Sequence, residues 1–120
     1  MDALSGDGHA LSVDVARPTA DCCVLTPYGE IDAYSAPAFR AQVIDALESA
    51  EVTRLVVDLT QTTFLDSSAL GVLVGALKRV RENGGRLDIV RPSTGGRRIF
   101  EITNLDRVLD LHDSLGSALG

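Results

Sequence analysis

Cysteine is nearly absent from the 120 residues: only Cys22 and Cys23 occur. As neighbours in an apolar, strand-like segment they point to opposite faces, which argues against a disulfide between them and gives no sign of an oxidising compartment. They read as buried structural thiols, with a redox-sensing pair as the alternative. Histidine is as scarce: neither His9 nor His112 has a metal-ligand partner at workable spacing, so no metal site is expected. Basic charge is in deficit, 11 Lys and Arg against 17 Asp and Glu, and the net charge of -6 repels a phosphate backbone, which sets nucleic acid aside as a partner. No apolar stretch approaches the ~20 residues of a membrane span. Met1 to Ala10 holds neither a basic start nor an apolar run, so no secretory signal is visible and the expected location is the cytoplasm. The chain lacks a Gly-Lys-Ser/Thr phosphate loop, and Gly95-Gly96-Arg97-Arg98 reads as a solvent-exposed arginine pair rather than a nucleotide site. It also lacks a Gly-x-Ser-x-Gly elbow, which argues against a serine hydrolase. No internal repeat is apparent.

What is present fits one soluble domain. A length of 120 residues suits one core and not two, and 45% hydrophobic content fills it without disulfides or a structural metal. Residues 1–9 are small, polar and Gly-rich and read as a flexible tail, with the folded domain over 10–120. Leu11 to Val15 alternates apolar and polar as a half-buried strand does, and Pro18 closes it. Cys22 to Tyr28 is a second strand, interrupted by Pro27, which suits an edge or a bulge better than a central position. Over Tyr34 to Glu48, Ala36, Phe39, Val43, Ile44 and Leu47 recur at near-helical spacing, with Ser35 as expected N-cap and Pro37 in the first turn. Leu55 to Leu59 is a Val-rich run of the kind buried on both faces of a sheet, and is expected mid-sheet.

From Ser67 onward, Leu70, Leu73, Val74, Leu77 and Val80 repeat at intervals of three and four until Asn83-Gly84-Gly85 supplies the stop. Leu87 to Val90 is the next strand, Ile99, Phe100 and Ile102 mark a short helix, and Val108 to Leu111 is the last strand. Ser114 to Leu119 fits a final short helix or a frayed end. The order predicts an α/β fold: a mixed β-sheet of about five strands with helices packed against it. Right-handed crossovers gather the loops at the strand C-terminal ends, where Asp66 and Ser67 belong.

Residues 58–80 carry the chemistry. Asp66 and Ser67 stand at the start of an amphipathic helix, whose N-terminal N–H groups and partial positive charge hold a carboxylate, or a phosphate on Ser67. Simple capping by Asp66 and Ser67 explains the same pattern. Two features point beyond capping. Gly71 and Gly75 leave one strip of the helix bare, although Gly costs up to about 1 kcal/mol against Ala there. That strip fits a close-approaching partner or a neighbouring strand. Val72, Ala76 and Arg79 lie off the apolar stripe and give the helix a partly apolar outer face.

The string Asp66-Ser67-Ser68-Ala69-Leu70-Gly71-Val72-Leu73 resembles the Asp-Ser-Ser/Thr-Gly-Leu-Gly-Val-Leu motif of bacterial anti-sigma factor antagonists, members of the STAS domain family. Gly29-Glu30-Ile31-Asp32 resembles their second signature, Gly-Glu-Leu/Ile-Asp at the end of the second strand. The resemblance runs from about Leu11 to Leu111 and includes the segment Arg97 to Leu105. Ala69 and Asn104 depart from it where Gly is usual; Ala suits a first helical turn, and Asn tolerates left-handed geometry.

The resemblance implies a STAS-type sheet and a switch protein that is not an enzyme. Ser67, the residue after the Asp, is then the phosphorylated one and Ser68 only its neighbour. The implied partners are an anti-sigma factor that is a serine kinase, using ATP that the kinase binds, and a serine phosphatase that reverses the step. Unphosphorylated, the antagonist sequesters the anti-sigma factor and frees the sigma factor. The expected partner-binding residues are Asp32, Asp66, Ser67, Ser68, Gly71, Val72, Gly75 and Arg79. No catalytic residue, metal or cofactor is expected, and the protein is expected to be monomeric. The alternatives are a STAS scaffold subunit of a stress-signalling complex, a soluble STAS component of a transport system, and a small enzyme using Asp66 and Ser67, for which no catalytic base is apparent.

Overall fold

The computed structural model describes residues 11–93 and 97–120. The expected tail over 1–9 and the Gly95-Gly96 loop lie outside the described residues. Among the described residues, six strands and four helices follow in the order β1 (Ser12–Thr19), β2 (Cys22–Ile31), α1 (Ala36–Glu48), β3 (Arg54–Asp58), β4 (Thr62–Leu65), α2 (Ser67–Glu82), β5 (Arg86–Val90), α3 (Arg97–Ile102), a 3-10 turn (Leu105–Arg107), β6 (Asp110–His112) and α4 (Leu115–Leu119). The sheet order is β1-β2-β3-β5-β6, with β4 paired to β2 off that path. Only β1 runs antiparallel; the other pairings are parallel, so the sheet is mixed.

β3 sits mid-sheet as its Val-rich run predicts: Leu55, Val56 and Val57 are fully buried. The last strand is shorter and later than expected, because Leu105–Arg107 forms a 3-10 turn and pairing starts only at Asp110. β1 runs on through Pro18 to Thr19, with a register irregularity between Ala16 and Thr19; as an edge strand it tolerates a residue that cannot donate.

The expected mixed sheet of about five strands is the main path, and a short strand, β4, joins it to the side; at four residues it is too short and too polar to register as a periodic segment. One sequence expectation is corrected. Pro27 lies in an interior strand, not at an edge: β2 has β1 on one side and β3 or β4 on the other. Pro27 is nevertheless excused from donating on that second side. β2 pairs with β3 over Cys22 to Leu25 and with β4 from Gly29 to Ile31, and Pro27 falls in the gap between them. Its carbonyl accepts from the Thr62 hydroxyl at 3.3 Å.

The two faces of the sheet are covered unequally. The larger core lies on the face of α1 and α2, where Phe39, Leu25, Ile31, Leu73, Leu87, Ile89 and Phe100 are fully or almost fully buried. On the other face Ala118 of α4, with Leu115 and Leu119, covers Cys22, Val24, Val56 and Val90. Cys22 and Cys23 thus serve opposite cores, both as free thiols, and burial pushes both thiols up from their ordinary pKa. Ser114 to Leu119, left open in the sequence, is helical: the Ser114 hydroxyl caps it by accepting the Ser117 N–H at 3.1 Å.

Charged groups fasten α4 to the sheet. Asp88, fully buried, accepts from Arg86 Nε at 2.9 Å, Arg54 Nε at 3.4 Å and His112 Nε2 at 2.8 Å. Arg54 also donates to the carbonyls of Ala118 and Leu119 at the end of α4, and the Ser117 hydroxyl lies 3.2 Å from His112 Nδ1. Burial alone would push the Asp88 carboxyl up; hydrogen bonds and charge from Arg86 and His112 outweigh it and hold the group below its ordinary value.

Candidate functional site

The site grows from the parallel pairing of β2 and β4. Glu30 pairs with Phe64 and Ile31 with Leu65, and the Asp66 N–H then donates to the Ile31 carbonyl at 3.2 Å. The two motifs, Gly29 to Asp32 and Asp66 to Leu73, are thereby side by side at one sheet end. Gly29 opens this part of the chain at φ +91°, a conformation that L side chains rarely adopt, and its N–H donates to the Gln61 carbonyl at 3.1 Å.

Asp32 organises the entry to α1. Its Oδ1 accepts the N–H of Tyr34 at 3.0 Å and of Ser35 at 3.1 Å, and lies 3.2 Å from the Ser35 hydroxyl. Ser35 occupies the N-cap position but does not cap the helix with its side chain: the buried hydroxyl turns back to the Glu30 carbonyl at 2.9 Å. The expected Ser35 cap is thus replaced by a loop lock between β2 and α1, because the strand end offers its hydroxyl a closer acceptor.

Asp66 caps α2. It has extended backbone, and its Oδ1 accepts the N–H of Ser68 at 2.8 Å and of Ala69 at 3.4 Å. Capping therefore belongs to Asp66, not to Ser67. Ser67 is the first helical residue; it is exposed, and its hydroxyl has no hydrogen-bond partner among the described residues. Ala69, where the motif has Gly, is buried in the first turn against the core. The other departure, Asn104, adopts φ 60°, the left-handed geometry that Asn tolerates.

The remaining expected residues share one feature. Ser68, Gly71, Val72, Gly75 and Arg79 line a groove of about 250 Å³ between α1 and α2, together with Ala76 and, from α1, Arg40, Val43 and Ile44. Gly71 and Gly75 are exposed, and a Cβ added to either would meet nothing within 4 Å. The bare strip therefore faces open space and not a neighbouring strand. Arg40 escaped the sequence reading, and Val43 and Ile44 entered it only as apolar positions of α1, not as lining of a groove. Their signal was slight: Arg40 and Ile44 sit beside the core positions Phe39 and Val43, and only the packing of α1 on α2 shows that this flank meets Gly71 and Gly75. No group of metal-ligating side chains occurs among the described residues, and no helix is long and apolar enough to cross a membrane.

A mixed sheet with α1 and α2 on one face thus carries a capped, serine-bearing helix beside the β2 end. The STAS domain family matches residues 15–118, and the chain belongs to that family. It is 36% identical over 101 residues to the anti-sigma-B factor antagonist of Bacillus subtilis, covering 84% of this chain and 90% of the relative. With the anti-sigma-B factor antagonist of Listeria monocytogenes it shares 32% identity over 110 residues, 92% of this chain and 96% of the relative. The crystal structure of an anti-sigma factor antagonist from Mycobacterium paratuberculosis superposes with a TM-score of 0.81 at 27% identity, covering 91% of each chain.

Proposed function

We propose that this protein is an anti-sigma factor antagonist that works by partner switching. Unphosphorylated, it binds an anti-sigma factor with serine kinase activity and so frees the sigma factor. The kinase transfers phosphate from its own ATP to Ser67, binding is lost, and a serine phosphatase restores it. One observation carries this reading: Asp66 alone caps α2, which leaves the Ser67 hydroxyl exposed and unbonded at the helix start. A hydroxyl engaged in capping would have to break that bond before reacting; this one does not.

The consequence of phosphorylation follows from charge. A phosphate on Ser67 adds about -1.5 to -2 charges next to Asp66, across the Asp66 to Ile31 hydrogen bond from Asp32. The helix N-terminus tolerates that charge, so the fold persists. The contact surface does not: like charge and desolvation costing about 4 kcal/mol would weaken binding roughly a thousandfold. In this reading Asp32, Asp66 and Ser68 frame the phosphosite, and Gly71, Val72, Gly75 and Arg79 present the surface next to it. The switch needs one copy of the chain and no membrane, nucleic acid or cofactor of its own.

The test is intact and peptide mass spectrometry after incubation with ATP and each anti-sigma kinase of the source organism, with Ser67→Ala alongside. One phosphate on Ser67, absent in Ser67→Ala and accompanied by loss of kinase binding, is the expected result. Absence of phosphate with every kinase would turn the assignment toward a scaffold or transport STAS module.

A further inference from the structure

Two arginines in an acidic protein flank the groove between α1 and α2. Arg40 and Arg79 are exposed, and neither has a salt-bridge or hydrogen-bond partner among the described residues, whereas Arg54, Arg86 and Arg91 each pair with a carboxylate. Val43, Ile44, Val72 and Ala76 give the groove its apolar lining. At about 250 Å³ it is smaller than the roughly 300 to 1,000 Å³ of ordinary small-molecule sites. Its size suits the side chains of a docked protein segment. Open space above Gly71 and Gly75 lets such a segment approach the helix backbone.

We propose that this groove seats an acidic, partly apolar segment of the partner protein, with Arg40 and Arg79 holding its carboxylates and the apolar lining taking its aliphatic side chains. The argument is charge complementarity and continuity: unpaired guanidinium groups favour carboxylates through forked hydrogen bonds, and Ser68 belongs to both the groove and the phosphosite helix turn. This deepens the antagonist reading and rests on it for the identity of the partner as an anti-sigma factor. A partner seated in the groove would cover Ser68, so phosphate arriving on Ser67 meets its charge at the rim of the same contact.

Two arms test it. In the first, the amide resonances of Gly71 and Gly75 are followed by NMR as a short amphipathic Glu/Leu peptide is added to roughly millimolar concentration, with a Lys/Leu peptide and inorganic phosphate as comparisons. Shifts with the Glu/Leu peptide alone, lost in Arg40→Gln with Arg79→Gln, are expected. No shift, an equal shift with the Lys/Leu peptide, or a shift with phosphate instead would overturn the assignment. In the second arm, binding to the anti-sigma kinase is measured for Arg40→Glu, Arg79→Glu and Lys78→Glu, the last lying outside the groove lining on the same helix. Each arginine reversal should weaken binding tenfold or more and Lys78→Glu should not. Wild-type affinity in both arginine variants, or equal weakening by Lys78→Glu, would count against the groove. If wild-type protein binds no anti-sigma kinase, the antagonist reading fails while the peptide arm still decides the groove's chemistry.

Discussion

The backbone N–H of Asp66 donates to the carbonyl of Ile31 at 3.2 Å, and this bond joins two sequence motifs separated by more than a helix and a strand. It sets the residue before Ser67 beside the residue before Asp32. The same Asp66 side chain holds the first turn of α2.

The division of labour between Asp66 and Ser67 predicts a stability difference. Asp66→Ala should lose about 1 kcal/mol, while Asp66→Asn keeps most of the cap. Ser67→Ala, at an exposed position without a hydrogen bond, should stay within about 0.5 kcal/mol of wild type. Urea unfolding of the three variants checks this. A larger cost for Ser67→Ala than for Asp66→Ala would reassign the cap.

Gly71 and Gly75 are bare at a cost that the fold does not require. Since an added Cβ meets nothing within 4 Å, Gly71→Ala and Gly75→Ala should each raise stability by up to about 1 kcal/mol. Gly75→Leu should keep the protein folded but fill the groove and weaken partner binding. Thermal unfolding and titration calorimetry separate the two effects; a loss of stability on Gly→Ala would mean that the helix is packed there.

Much of this was legible in the sequence. Periodicity found α1 and α2, because those helices bury apolar residues in regular order, and the unbroken Val-rich run of Leu55 to Leu59 placed β3 mid-sheet. The motif residues marked the candidate site, since Asp66 and Ser67 are adjacent and open a helix. β4 was missed because Thr62–Leu65 owes its strand state to pairing with β2, not to its own pattern. Arg40 was missed for a related reason: nothing local says which flank of α1 will meet α2. Ser35 was read as a cap from residue type alone, and tertiary contact with Glu30 redirected it.

Asp88 predicts an acid sensitivity. Its carboxyl is held below the ordinary value, so it binds protons less readily folded than unfolded. Its stabilising contribution is therefore fully present above the unfolded pKa of about 3.9 and is lost as pH falls through the lower folded value. The stability difference between wild type and Asp88→Asn should be constant above about pH 5 and shrink below about pH 4. Asp88→Asn should cost less than the ~3–5 kcal/mol of a fully buried broken pair, because Arg86 and Arg54 retain side-chain exposures of 56% and 24%. Denaturation midpoints across this range provide the measurement, and a difference that grew toward acid would contradict the assignment.

The two thiols should be inert in the native protein. Both are buried and pushed up in pKa, and they face different cores, so neither thiolate chemistry nor mutual pairing is favoured. A chromogenic disulfide reagent should titrate neither thiol in buffer and both in guanidinium chloride. Fast labelling of either one without denaturant would show that its core opens.

The gap at Pro27 gives β2 two neighbours in succession, β3 and then β4. Its first part, Cys22 to Leu25, is buried throughout, and its second half, with β4, forms a small parallel ribbon that ends in Asp32 and Asp66 and buries only some positions, Ile31 and Leu65 among them. Exposed ribbon positions such as Glu30, Thr63 and Phe64 can therefore be exchanged without disturbing the packing of Leu25 or Val57. Substitution there changes the outer face of the ribbon and leaves the interior as it is.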